Sequence, residues 1–463
     1  MKLRSLFTAL ALLIALAIQA KTPRYIFYFI GDGMGVGAAS LAQSYNRMVL
    51  GLSDPLMMMQ FPVTSLAFTH SASSPVTDSA AAGTALASGH KTKNGMLGMD
   101  ADSVPVTSIA TILHRNGYGV GLVTTVAPDD ATPGAFYAHQ PHRGMFYEIG
   151  CDAAASGFEF IAGANLRGLK DGKGNPTDLL EVFEQNEVSV VRGPEGMKDA
   201  KHERILMLGT NTPSDNEIGL SIDSLEGVVT LPQLTSACLG HLLKNSPERF
   251  FMMVEGGSID HAGHANDAAT SIHETLAFND ALRIAYNFYL EHPDETLIIV
   301  TADHETGGLA LANTRLHYNI EPKYLQYVHI SKDSFINYCK SLSRSKMVYT
   351  WDDMKQLLTD KLGFYTNIPV SEEETAQLKE LFDSAMELRN SSDRKELNSI
   401  FNKFTNKVYG LVSEVSGIGW TTGDHSGAPV PVFAVGVDAD RFSRIQDNTE
   451  IPVKILSIAG VEK

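Results

Sequence analysis

Acids and imidazoles recur in this chain at spacings that suit a metal ion. In "VEGGSIDHAGH", Glu255 is followed by Ser258, which reads as a helix cap, and then by Asp260 and His264, which stand four residues apart and share one face if the segment is helical. A carboxylate and an imidazole so placed can take the same zinc ion. A surface helix with an incidental Asp/His pair is the competing reading. "TADHETGG" sets Asp303 beside His304, where a strand turning into a loop lets both converge, and "TGDHSGAPV" holds His425 in a glycine-rich loop. "IGDGMG" supplies Asp32. "PDDATPGAFYAHQPHRG" supplies Asp130, Thr132 and, further on, Arg143. A guanidinium can grip two oxygens of one phosphoryl group, which an ammonium cannot. In "VTDSAAAGTALASG", Thr77 or Asp78 can cap a helix of small residues. Ser79 then falls in the first turn, where free amides and the helix dipole favour phosphate. Taken alone, that stretch also reads as a capped, packed alanine helix.

Groups so far apart in sequence need a framework that brings them together. Strand-length apolar runs precede most of them: "RYIFYFI" (24–30), "GVGLVTTVA" (119–127), "FFMMVEGG" (250–257) and "TLIIVTADH" (296–304), with "VPVFAVGV" (430–437) following His425. Near-continuous apolar strands alternating with helical patterns predict an open α/β fold. Its mostly parallel sheet would be flanked by helices on both faces. Asp32, Asp130, Glu255 and Asp303 then fall just past carboxyl ends of strands, where open α/β sheets collect ligands. Four acids at one sheet edge repel unless cations neutralise them. Residues about 305–423 differ in texture, with patterns such as "WDDMKQLLTDKLG" and "SEEETAQLKELFDSAMELRN" that predict a helical insertion before the last candidate ligand. Gly33, Gly35 and Ala38 match a dinucleotide fingerprint, with Asp54 beyond. However, Asp32 would repel a pyrophosphate there, and the stretch before Asp54 is a poor second strand.

The chain has 463 residues and a formal net charge of −16, which argues against a nucleic-acid partner. Lys2 and Arg4 precede an apolar run ending near Gln19-Ala20, so residues 1–20 read as a signal peptide and 21–463 as one catalytic domain. That run is short for a membrane span, and an exported protein, periplasmic or secreted and without an anchor, is the expectation. Cys151, Cys238 and Cys339 are too few for a disulfide framework and lack metal-site spacing, leaving oxygen and nitrogen as the metal donors.

Taken together and in order, "GDGMG", "TDSAAAGTALASG", "DDATP…HR", "VEGGSID…H", "TADH" and "GDHSG" resemble the alkaline phosphatase family over roughly residues 25–437, apart from the helical stretch. The resemblance implies hydrolysis of small phosphate monoesters through a phosphoserine on Ser79. It implies one zinc held by Asp260, His264 and His425. A second zinc would be held by Asp32, Asp303 and His304, with Ser79 as its reacting ligand. A third ion, usually magnesium, would be held by Asp32, Thr132 and Glu255, with Asp130 supporting that site through water. Arg143 would bind phosphate oxygens, and Asp78 would orient the loop and Arg143. His261 stands where the best-known bacterial branch has lysine and animal relatives have histidine. It is expected to support the Asp260 loop, and it raises zinc as the alternative third ion. The short stretch between residue 21 and the first strand lacks the N-terminal arm of family dimers, so a monomer is expected.

Overall fold

The computed structural model describes residues 22–342, 349–389 and 393–462; the expected signal peptide lies outside them. Among these described residues twelve strands form: β1 (Tyr25–Ile30), β2 (Val63–Phe68), β3 (Gly119–Thr124), β4 (Phe160–Gly163), β5 (Val188–Arg192), β6 (Arg204–Leu208), β7 (Phe250–Glu255), β8 (Thr296–Thr301), β9 (Glu305–Thr306), β10 (His425–Ser426), β11 (Val430–Gly436) and β12 (Gln446–Asp447). Ten make one sheet in the order β12-β2-β11-β8-β1-β7-β3-β4-β6-β5, and β9 with β10 makes a small antiparallel pair.

The large sheet is parallel except at β11, which runs against both β2 and β8. The expected open, mostly parallel α/β sheet is therefore present. The central strands β1, β3, β7 and β8 are buried along their whole length, as their unbroken apolar sequences require when both faces are covered. Successive side chains of a strand face opposite ways, and β1 shows what each meets. Phe27 packs against Phe288 of a long helix, while Tyr28 packs against Phe136 on the other face.

Reversal of β11 has a topological effect. An antiparallel strand begins at the edge where its parallel neighbours end, so the loop entering β11 delivers His425 to the carboxyl edge. β2 lies three positions away from β1, with β8 and β11 between. The chain therefore has no adjacent β-α-β start for a dinucleotide. The glycines of "GDGMG" serve close approach within the fold instead. Gly33 sits at φ +72°, and a Cβ there would lie 2.8 Å from the Asp260 Cα; a Cβ on Gly35 would meet the Glu305 side chain.

The helices that matter to the site are α1 (Ser79–Ser88) and α2 (Ser258–Ala265), followed by the long α3 (Ala268–Glu291), which carries Phe288. Beyond β9, α4 (Lys332–Leu342), α5 (Trp351–Leu362), α6 (Glu372–Glu387) and α7 (Arg394–Ser416) follow, with Phe335, Phe382, Phe401 and Phe404 in an apolar cluster of their own. Cys151, Cys238 and Cys339 carry free thiols. No helix among the described residues is long and apolar enough to cross a membrane.

Candidate active site

Asp78 caps α1: its Oδ1 accepts from the Ala81 amide at 3.0 Å, leaving Ser79 as the first helical residue. Of the two cap candidates in sequence, Asp78 is the one that does this. Its Oδ2 accepts from the Gly95 amide at 3.0 Å and lies 3.5 Å from the Arg143 guanidinium. Ser79 is 3 % exposed, with its Oγ 3.2 Å from His304 Nε2. Five alanines and Gly83 behind it are buried, so small residues let α1 sit close to the sheet edge.

His304 is the hub. Its Nε2 lies 3.3 Å from Asp32 Oδ1 and 3.2 Å from Asp303 Oδ2, and its ring stacks on His425 with centroids 3.5 Å apart. His425 Nε2 is 3.6 Å from Asp260 Oδ1 and 3.2 Å from His264 Nε2, which is 3.3 Å from Asp260 Oδ2. Two groups bring their donor atoms within 4.8 Å of one another: Asp32, Asp303 and His304; and Asp260, His304 and His425. His264 joins the second through its contacts with Asp260 and His425. Thr132 donates to Asp32 Oδ2 at 3.3 Å, and Thr124 donates to Glu255 Oε2 at 2.5 Å.

The partners of the imidazoles fix their tautomers. The Nδ1 of His264 contacts the Gly423 carbonyl at 2.7 Å and that of His425 the Thr77 carbonyl at 2.8 Å. A carbonyl only accepts, so each Nδ1 carries the proton. The Thr306 hydroxyl gives its single proton to Asp260 Oδ1 at 2.5 Å and accepts from His304 Nδ1 at 3.2 Å. All three rings thus turn Nε2 inward, the orientation that outer partners impose on metal-binding histidines, and the bond between His264 Nε2 and Asp260 raises the pKa of that imidazole. Asp32 Oδ1 and Asp303 Oδ2 beside His304, and Glu255 Oε1, are buried with no hydrogen-bond donor among the described residues.

Such a gathering of acceptors is electrostatically incomplete without a cation. Burial, reinforced by neighbouring carboxylates, pushes Asp32 and Asp303 far above the usual carboxylate range. Burial likewise carries Glu255 up to about 7, against the pull of the Thr124 hydroxyl. Asp260 differs: burial raises it, but the His264 hydrogen bond and the surrounding imidazoles outweigh that and hold it low. Burial drives His304 well below its ordinary value, with His425 adding to the effect. The donor set is nitrogen and oxygen, so the residues fit zinc and, at the oxygen-only end, magnesium.

Beside this cluster, Arg143 Nη2 lies 3.1 Å from Asp130 Oδ1, and Arg167 Nη1 lies 3.0 Å from Asp130 Oδ2. Burial raises the Asp130 carboxyl, yet the two guanidinium ions and the Ala131 amide hold it below its ordinary value. His261 Nδ1 is 3.0 Å from Glu217 Oε2; burial lowers this imidazole, but the Glu217 bond and charge carry it up to about 9. Ser258, read from sequence as a helix cap, is instead the first residue of α2, and its hydroxyl donates to Thr125. Sequence reasoning missed Thr306, Glu217 and Arg167. Thr306 lay inside the quoted "TADHETGG", whereas Arg167 opens a short 3-10 helix and Glu217 lies in an isolated bridge to Val126, neither within a motif.

A parallel sheet whose carboxyl edge gathers carboxylates, inward-turned imidazole nitrogens and a helix-mouth serine defines a metal-site hydrolase of the α/β class. The alkaline phosphatase family model matches residues 24–461, and the chain belongs to that family, whose members are metal-dependent phosphoric monoester hydrolases. Alkaline phosphatase 4 of Bacillus subtilis (strain 168) is 30% identical over 439 residues, covering 92% of this chain and 87% of the relative. The cold-active alkaline phosphatase of Shewanella sp. superposes with a TM-score of 0.78 at 28% identity, covering 94% of this chain and 99% of that one. A TAB5 alkaline phosphatase mutant with Mg bound gives a TM-score of 0.66 at 27% identity, covering 96% of this chain and all of that one.

Proposed function

We propose that this chain hydrolyses phosphate monoesters through Ser79, at a site where Asp260, His264 and His425 hold one zinc and Asp32, Asp303 and His304 a second. Asp32, Thr132 and Glu255 complete a magnesium site, with Asp130 as its outer support. The observation that carries this reading is the convergence of three inward-turned Nε2 atoms with the orphaned carboxylate oxygens of Asp32 and Asp303, the Ser79 hydroxyl lying 3.2 Å from the central His304 Nε2. The oxygen-only donors of the third site favour magnesium, and Mg is bound by the TAB5 mutant in which an Asp replaces a His. Elemental analysis showing a third zinc would overturn that assignment.

Bound metal supplies Lewis acidity that favours the Ser79 alkoxide and stabilises the departing oxygen. Ser79 Oγ attacks phosphorus in line, forming the Oγ–P bond as the P–O bond to the alcohol breaks. Arg143, steadied by Asp78 and Asp130, holds the oxygens that do not react, and the first amides of α1 face the same charge. Water attack on phosphorus then breaks the Oγ–P bond and releases phosphate. Phosphoryl transfer asks the protein for positioning and charge stabilisation more than for proton transfer, which fits a site with few free bases. His261, tied to Glu217, steadies the Asp260 turn. The helices between residues 305 and 423 belong to the same catalytic unit, and Lys2, Arg4 and the apolar run after them support export. Hydrolysis of nitrophenyl phosphate at alkaline pH, abolished by a chelator and exceeding that of bis-nitrophenyl phosphate, is the expected result. Activity indifferent to chelator, or a preference for the diester, would overturn the reading.

A further inference from the structure

Arg143 is outnumbered. Asp78 Oδ2 at 3.5 Å and Asp130 Oδ1 at 3.1 Å place two carboxylates against one guanidinium. A grip for a phosphate dianion built from those three groups alone carries a surplus negative charge, which opposes the ligand. Arg167 corrects this. Its Nη1 takes the other oxygen of Asp130 at 3.0 Å, and its guanidinium lies over the Phe146 ring at 3.8 Å. The backbone is anchored too: Asp129, a fully buried carboxyl, accepts from the Arg167 amide at 3.0 Å and from the Gly168 amide at 2.7 Å. The adjacent acids thus divide the work, Asp129 fixing the turn that carries Arg167 and Asp130 joining the two guanidinium ions.

We propose that Arg167 is a positioning residue for phosphate: it neutralises Asp130 from behind, so that Arg143 keeps charge and free N–H groups for the ligand. This rests on the reading of Arg143 as the phosphate grip. Without Arg167, Asp130 would draw Arg143 into a closer two-oxygen pair, and the local charge would fall by one. Phosphate binding would weaken while Ser79 and the metal donors stayed in place.

Binding of inorganic phosphate to the metal-loaded full chain, followed by calorimetry, tests this in three variants. Arg167→Met keeps a stem of similar length over Phe146 and loses the charge; its phosphate Kd is expected to rise about ten-fold or more. Arg167→Lys keeps the charge and is expected to recover most of that loss. Arg143→Ala reports on the underlying reading: if phosphate still binds it as tightly as the wild type, the Arg143 grip itself is wrong. If Arg143→Ala weakens phosphate but Arg167→Met does not, the Arg167 proposal fails alone. If Met and Lys variants weaken binding equally, shape and not charge is responsible, and the proposal is likewise overturned. Thermal unfolding of each variant separates a folding defect from these outcomes. A Met variant that unfolds earlier yet binds phosphate normally would make Arg167 structural only and refute the proposal.

Discussion

Replacing Thr306 with valine keeps the shape of the side chain and removes one hydroxyl. That hydroxyl is 3 % exposed as part of its residue, donates to Asp260 Oδ1 at 2.5 Å and accepts from His304 Nδ1 at 3.2 Å. Its loss leaves a buried carboxylate oxygen without its donor and an imidazole N–H without its acceptor. A hydrogen bond to a charged group contributes about 1.5–3 kcal/mol, and each 1.4 kcal/mol is a factor of ten in an equilibrium constant. Because Asp260 and His304 serve the two proposed zinc sites, part of that loss should appear as weakened metal binding, roughly 10- to 100-fold, the usual cost of removing an outer partner of a ligand. Titration of the metal-free protein with zinc against a competing indicator chelator measures the shift directly, and the chelator concentration for half-inactivation gives a second reading. The freed His304 ring should also lose its tautomer preference, visible in the nitrogen shifts of its imidazole. Thr306→Val with unchanged zinc affinity and a well-folded structure would refute the argument that this hydroxyl locks the two ligands.

Ser79→Ala should lower phosphomonoester turnover by about three orders of magnitude or more while leaving zinc binding nearly unchanged, checked by steady-state rates beside metal content. Dialysis against chelator should abolish activity and lower the melting temperature, and zinc with magnesium should restore both, because ions that bind only the folded state stabilise it; an unmoved melting temperature would contradict the proposed donor set. Glu274 of α3 is not among the proposed ligands and accepts from the Ser221 amide at 2.6 Å. Burial carries its carboxyl up to about 7 against those hydrogen bonds, with the charges of Glu217 and Asp223 adding to the rise. The folded state therefore holds the proton where the unfolded chain, titrating near 4.5, has released it. Stability from this group is present below that value and is lost as pH climbs through about 7, by roughly 3 kcal/mol. Denaturant titrations at several pH values should show the slope in the wild type and a flatter profile in Glu274→Gln.

The buried strands were legible because a sheet covered on both faces demands unbroken apolar runs, and "YIFYFI", "FFMMVE" and "TLIIVT" have no other use. The acids at strand ends were legible for a related reason: Asp32 and Asp303 follow such runs directly, so their edge position came with the strand. The reversal of β11 was hidden, since "VPVFAVG" reads the same in either direction and only its pairing with β2 and β8 decides. Ser258 misled because a serine ahead of a helix is usually its cap, whereas Gly257 occupies that position here. Thr306 and Arg167 escaped because neither residue type marks a ligand, and their importance depends on what lies beside them across long sequence gaps. The order Asp-Ser at the mouth of α1 told of a cap and a hydroxyl, but only the 3.2 Å contact with His304 ties that hydroxyl to the cluster.

The reversed strand also times the assembly of the site. His425 arrives from the last tenth of the chain, carried by the loop that enters β11, and β11 seats itself between two strands made much earlier, β2 and β8. On the proposed assignment, a chain still lacking that segment has Asp260 and His264 without His425 for the same ion, so metal held there with full affinity would report a finished fold. Capture of the cation thus becomes a checkpoint at the end of folding, and an N-terminal fragment ending before β10 should leave zinc exchangeable.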